Sequence, residues 1–261
     1  MGENEAEHTD LPLPGSRILP RGFALVLRFH PDIKLERKRG HGFAAMLSEY
    51  LNIDRNELES HSWSFVEPLP GDPESRLVIG VTPNSLRLEI HLPSRAQEWV
   101  EHRFQTVLDT FGTQFEPKLV LNCQATVRGT IPIDGDARTF LAGHIMQMPP
   151  ERVVQSFRRP VHLIGLRFFF PPFRSGPSEE DSQGAENRVD WSASVRAESL
   201  LEDPTQLFLE AETDWFEPTP WSDALSRIVI ERLTTTRRFL EENVREFLQP
   251  GVADAEDEDQ P

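Results

Sequence analysis

The chain has 261 residues, 38% of them hydrophobic, one cysteine and a formal net charge of −16. That is enough apolar material for one large domain or two small ones without disulfide staples. No run approaches the length of about 18 apolar residues that crosses a bilayer, and the acidic start MGENEAEHTD lacks the basic-then-apolar order of a signal peptide, so the expectation is a cytoplasmic protein with no membrane role.

Divided along the chain, most of the charge leaves the folded body. Residues 1–16 contribute −4, the C-terminal stretch 250–261 contributes −5 and the loop 174–188 contributes −2, which leaves about −5 for the rest. Acidic segments of low hydrophobicity are expected to be disordered tails and a mobile loop. A body without a coherent basic face argues against duplex DNA as a partner.

After a proline-rich lead-in, Phe23, Leu25, Leu27 and Phe29 alternate with Ala24, Val26 and Arg28 as a first strand that Pro31 ends. A basic loop (Lys34, Arg37, Lys38, Arg39) leads through Gly40-His41-Gly42 to a helix bearing Phe43, Met46, Leu47, Tyr50 and Leu51. A helix start flanked by cations could hold a phosphate, but the spacing is not that of a phosphate loop, and a charged surface turn is the plainer expectation. Trp63 and Phe65 mark a second strand. Arg76 to Thr82 and Leu86 to Leu92 alternate as two more, and Ser94 with Gln97 forms a capping box for a long helix striped by Trp99, Val100, Phe104, Val107, Leu108 and Phe111. Residues 17–115 therefore read β-α-β-β-β-α.

Residues 116–249 begin the order again. Leu119 to Arg128 alternate as a longer opening strand, Asp134-Gly135-Asp136 introduces a helix with Phe140, Leu141, Ile145 and Met146, and Pro149-Pro150 restarts a shorter one with Val153, Val154 and Phe157. Val161 to Phe170 is expected as a strand, followed across the acidic loop by strands at Val189 to Glu198 and Leu207 to Trp215. Ser222 is expected to cap a final helix carrying Leu225, Ile228, Val229, Leu233, Phe239, Leu240, Val244, Phe247 and Leu248.

Two such units in tandem predict an α+β fold: duplicated β-α-β-β-β-α units joined in one antiparallel sheet, with four helices on one face and the other face polar. This order is similar to the duplicated saddle of the TATA-box-binding protein. The likeness is architectural; the intercalating phenylalanines of that family have no counterparts here, and fold does not carry function. Over nearly the whole chain, the strands FALVLRF and LIGLRFFFPP and the block LFLEAETDWF before a long helix resemble a sporadically distributed bacterial family of uncharacterised proteins of about this length. Gly165, Leu166 and Arg167 match that family's "GLRY-N-R" strand, while prolines stand near the place of its Asn and second Arg. The resemblance implies no activity.

The best candidate surface is the polar sheet face. Alternation places on it Arg87, Glu89 and His91 from the first half, and Asn122, Gln124, Thr126, Arg128, Asp190, Ser192, Ser194, Arg196, Glu198, Glu210, Glu212 and Asp214 from the second. Glu210, Glu212 and Asp214 share one side of a strand, about 7 Å apart from one to the next, a spacing that supplies too few converging oxygens for a hard cation. Arg167 sits in a strand apolar on both sides, so it is expected to need a carboxylate or an anion, with Glu210 or Glu212 as structural partners. The phenylalanines 168, 169, 170 and 173 are expected in the core. Cys123, mid-strand between Leu121 and Ala125, is expected to be a buried, inert thiol.

Catalytic templates are missing: there is no G-x-S-x-G, CxxC or H-E-x-x-H, no dinucleotide fingerprint and no histidine pair at ligand spacing. No metal or cofactor is called for. The expectation is a non-catalytic binding module that meets a protein partner through the polar sheet face at Arg128, Arg167, Arg196, Glu210 and Glu212, with a homodimer compatible with it. The alternative is an enzyme or nucleotide-binding protein with its site near Arg167, Glu210 and Glu212. Single-stranded nucleic acid fits less well, because the face lacks aromatic stacking platforms.

Overall fold

The computed structural model describes residues 18–69, 74–91, 97–148, 150–159, 161–175 and 187–248. The acidic tails, most of the acidic loop and the Ser94 capping position lie outside them. In the first half, β1 (Leu19–His30), α1 (Arg37–Ser48), β2 (Arg55–Leu58), β3 (Trp63–Pro68), β4 (Arg76–Thr82) and β5 (Ser85–His91) precede the long α2 (Gln97–Phe115). The second half begins with β6 (Leu119–Pro132), α3 (Ala137–Phe140), a π-helical turn (Leu141–Ile145) and α4 (Pro150–Phe157). It continues with β7 (Gly165–Phe170), β8 (Phe173–Ser175), β9 (Asn187–Val189), β10 (Trp191–Ser199), β11 (Gln206–Trp215) and β12 (Thr219–Pro220). A last helical rod runs as α5 (Leu225–Arg238), a π-helical stretch (Phe239–Val244) and α6 (Arg245–Leu248).

The strands form one antiparallel sheet in the order β2-β3-β4-β5-β1-β6-β11-β10-β7, with β12 pairing to β6. The two opening strands, β1 and β6, lie side by side in the middle, and each half runs outward from them through its last, middle and first hairpin strands. The order is therefore the same from the centre in both directions as far as β3 and β7, as the duplicated pattern predicts, and β2 adds one further strand in the first half alone. Their length explains the position: β1 and β6 are the longest alternating stretches, and a strand of 12 or 14 residues has the most backbone to satisfy on both edges.

Across this central pair, Phe23 stands opposite Val127, Leu25 opposite Ala125 and Leu27 opposite Cys123, all buried. Large residues on β1 meet small ones on β6, and the space over β6 is taken by α5, whose Val229 and Leu233 are buried in the same core. The helices α1, α2, α3 and α5 all contribute to that single core, on one face of the sheet. Phe43 of α1 meets Phe65 of β3 with 5.3 Å between ring centroids, and Phe111 of α2 meets Phe29 of β1 at 5.4 Å. Cys123 is fully buried, and burial raises its thiol pKa to about 11, so it stays protonated and inert.

Several local expectations are corrected. The helix α1 starts at Arg37, so Gly40-His41-Gly42 lie inside it rather than at its mouth. Gly40 packs where a Cβ would come within 3.0 Å of Leu58 and 3.2 Å of Trp63, and Arg39 donates to the Gln114 carbonyl while lying over the Phe115 ring. The basic loop is thus partly spent on the end of α2, where a cation satisfies orphan carbonyls. Ser222 does not cap α5, which begins at Leu225 with Ala224 before it. The short strand β2 escapes the alternation rule because Arg55-Asn56-Glu57 carries no apolar period. The strand β7 starts only at Gly165, and α4 leaves Val154 and Phe157 exposed.

Candidate functional site: the open face of the sheet

Residues opposite one another in an antiparallel sheet share a face, so the register assembles the open face row by row. One row crosses seven strands: Arg76 on β4, His91 on β5, Gly22 on β1, Arg128 on β6, Glu210 on β11, Arg196 on β10 and Arg167 on β7. The next is Val78, Glu89, Ala24, Thr126, Glu212, Ser194 and Phe169. A third is Gly80, Arg87, Val26, Gln124, Asp214 and Ser192. The residues expected on this face therefore share it, except Asp190, which falls between β9 and β10.

At the centre is a chain of charges. Arg128 donates from Nε to Glu210 Oε2 at 2.7 Å and from Nη1 to Glu89 Oε1 at 2.8 Å. Because Glu89 is on β5, the Arg128 side chain reaches it across β1, and it crosses where β1 carries Gly22 and Ala24. A Cβ on Gly22 would stand 3.2 Å from the Ile90 carbonyl and 3.9 Å from the guanidinium, so small residues here keep the crossing open. Arg87 also binds Glu89, and His91 Nε2 lies 3.6 Å from it. The Glu89 side chain is only 8% exposed. Burial works against its ionisation, but hydrogen bonds and charge from Arg128 and Arg87 outweigh it and hold its pKa below the usual carboxylate value. Burial likewise opposes the charge on Arg128, and Glu210 and Glu89 more than restore it.

Toward β7 the network loosens. Arg196 Nε is 3.7 Å from Glu210 and its Nη2 is 3.7 Å from Glu198, contacts too long for hydrogen bonds, while its guanidinium lies 5.0 Å from the centre of the Phe208 ring. Glu212 and Asp214 are half-buried, and both carboxyls are pushed up: Glu212 by burial and then by its neighbours Asp214 and Glu210, Asp214 by burial. The three carboxylates of β11 are spaced along the strand rather than convergent, and among the described residues no group of three or more His, Cys, Asp or Glu is placed to hold a metal ion.

The structure thus brings Arg128, Arg196, Glu210, Glu212 and Arg167 onto one face, and it corrects the expected role of Arg167. That residue is exposed on an edge strand, opposite Arg196, with no close ion pair to the described residues; its charge acts on Glu212 only from a distance, and Glu210 belongs to Arg128 instead. The reasoning from apolar neighbours on both sides fails because an edge strand buries neither side fully. Phe169 and Phe170 are 69% and 45% exposed, against the expected core packing. Sequence reasoning also missed Glu89 as the hub, since only the β5-β1-β6 register brings it under Arg128. Compared with family models and with curated proteins, the chain matches none at a significant level. No helix among the described residues is long and apolar enough to cross a membrane.

Proposed function

We propose that this protein is a non-catalytic binding module whose open sheet face engages a protein partner. The observation that supports it is the seven-strand row from Arg76 to Arg167, which lies on the face opposite the helical core. Toward the second half it carries both signs, Arg128, Glu210, Arg196 and Arg167 running plus, minus, plus, plus, and the neighbouring row and Glu198 add carboxylates. A polyanion would meet Glu89, Glu210, Glu212 and Asp214 as often as it met arginine, whereas a protein surface of mixed sign can complement both. Within this face the roles divide. Arg128 is spent on two carboxylates and holds the surface in shape; Arg196 and Arg167, with looser contacts and the Phe208 and Phe169 rings beside them, are the groups offered to a partner. The same reading takes the protein as cytoplasmic and groups it with the bacterial family whose Gly-Leu-Arg strand it resembles.

A photo-crosslinking residue at Ser194, on the open face, is expected to capture a protein from the native cell, while the same residue at the exposed helical position Arg227 captures none. Arg196→Gln, which removes the charge without setting a carboxylate opposite Glu210 and beside Glu198, should remove the capture with at most a small change in the melting curve. Equal capture from both positions would overturn the assignment.

A second reading, an enzyme or nucleotide-binding site around Arg167, Glu210 and Glu212, draws on the raised pKa of Glu212, which favours a carboxyl able to exchange a proton nearer neutral pH. It predicts a saturable thermal shift with a nucleotide or a divalent ion that Glu210→Ala abolishes; no shift across such a screen would leave the first reading.

A further inference from the structure

The two ends of the sheet are finished differently. At one end β2 is four residues long and turns Arg55, Asn56 and Glu57 to solvent, the kind of short, charged strand that discourages further pairing. At the other end β7 reads GLRFFF and pairs, among the described strands, with β10 alone. Arg167 is its one charge. On the helix side of this edge, Phe168 meets Phe247 and Phe170 meets Phe239, with ring centroids 5.3 and 6.0 Å apart, and these four rings with Val195 and Val244 line an apolar groove of about 400 Å³ that stays open to solvent.

We propose that this edge is where a second copy of the chain docks, β7 against β7, antiparallel about a two-fold axis normal to the sheet. Such an axis keeps both open faces on the same side, so only residues that share a face can stand opposite one another. Among the registers this allows, one centred on Arg167 sets two guanidiniums against each other, a like-charge pair that opposes association. One centred on Phe169 puts Arg167 against Pro171, which has no N–H to give the ladder. The register centred on Phe168 is self-complementary. It sets Arg167 of each copy opposite Phe169 of the other on the open face, cation against ring. On the helix side it sets Leu166 opposite Phe170, with the two Phe168 rings meeting at the axis and adding apolar surface beside both grooves. The two sheets become one, and their polar faces become one surface. This pairing does not rest on the partner reading of the open face.

The test is the sedimentation of the full chain over a concentration series, with variants chosen for this register. The native chain dimerises. Phe169→Arg, at a largely exposed position, sets cation against cation twice about the axis and weakens the dimer at least about tenfold. Phe169→Glu, which faces Arg167 of the other copy, keeps or tightens it. Phe168→Cys forms a disulfide-linked dimer on mild oxidation faster than Phe170→Cys, because directly opposite residues lie within disulfide reach and the native Cys123 is buried. Should loss of the Phe168 ring disturb the groove, the exposed pair Arg167→Cys with Phe169→Cys gives the same crosslink. A native chain that stays monomeric throughout, equal effects of Phe169→Arg and Phe169→Glu, or no preference for crosslinking at 168 would overturn the proposal.

Discussion

In the first half of the molecule Phe43 of α1 stands against Phe65 of β3, and Leu47, Trp63 and Phe65 are fully buried. In the second half the corresponding outer strand, β7, has Phe168 against Phe247 at the same 5.3 Å between ring centroids, yet Phe247 is 49% exposed. The difference lies in the segment after each opening strand. After β1 comes a helix of 12 residues whose buried side is Phe43, Ala44 and Leu47. After β6 come a four-residue helix, a π-helical turn and the exposed α4, and α3 settles over β10. Repeating an order of elements repeats the sheet, because strand pairing follows from alternation and connection length. It does not repeat the packing, which depends on whether a given helix is long and apolar enough to cover the outer strand.

The contrast can be broken most strongly in the closed half. Phe43→Ala should cost about 3–5 kcal/mol, the range for removing a buried aromatic ring, measured by urea unfolding with an unchanged slope. Next comes the network joining the halves. Arg128→Ala leaves the buried Glu89 carboxylate with one partner fewer and should cost about 2–3 kcal/mol, below the full buried-pair value because the arginine is partly exposed; Arg87→Ala, at 57% exposure, should cost at most about 1 kcal/mol. Glu89 also sets a pH dependence. Its pKa is lower folded than unfolded, so its contribution is present above the unfolded value and is lost as pH falls through the folded one. Glu89→Gln should therefore be less stable than the native chain at neutral pH and lose less stability on acidification.

In the open half the same chemistry should matter less. Phe247→Ala is expected to cost about 1 kcal/mol or less, in dilute solution, since much of the ring is already in water. The smallest effect has the opposite sign. Glu212 has a raised folded pKa, so its protonated form favours folding: that contribution is complete below the unfolded value and disappears as pH rises through the folded one. Glu212→Gln should raise the melting temperature at neutral pH by about 1–2 °C and leave it unchanged in acid.

The sheet was legible from the chain because Phe23 to Phe29, Cys123 to Val127 and Leu207 to Trp215 alternate, and period two is a property of the strand itself; ahead of Cys123 a shift of register breaks the expected pattern, burying Val120 and leaving Leu121 44% exposed. Which residues share the open face followed from the same alternation. Who pairs with whom did not: Glu89 and Arg128 are 39 residues apart and on non-adjacent strands, so their contact depends on β1 lying between them with Gly22 at the crossing. Arg167 and its phenylalanines were misplaced for a related reason. An apolar run on both sides describes a central strand and an uncovered edge equally well, and only the position of the next helix separates the two.

Amide hydrogen exchange across β7 tests the open edge most directly. In dilute solution, the β7 amides that point away from β10 should exchange far faster than those of the central strands β1 and β6, and they should slow as the protein concentration is raised. Slow exchange of those outward amides at every dilution would mean that the chain itself covers this strand, and the contrast between the two halves would fail.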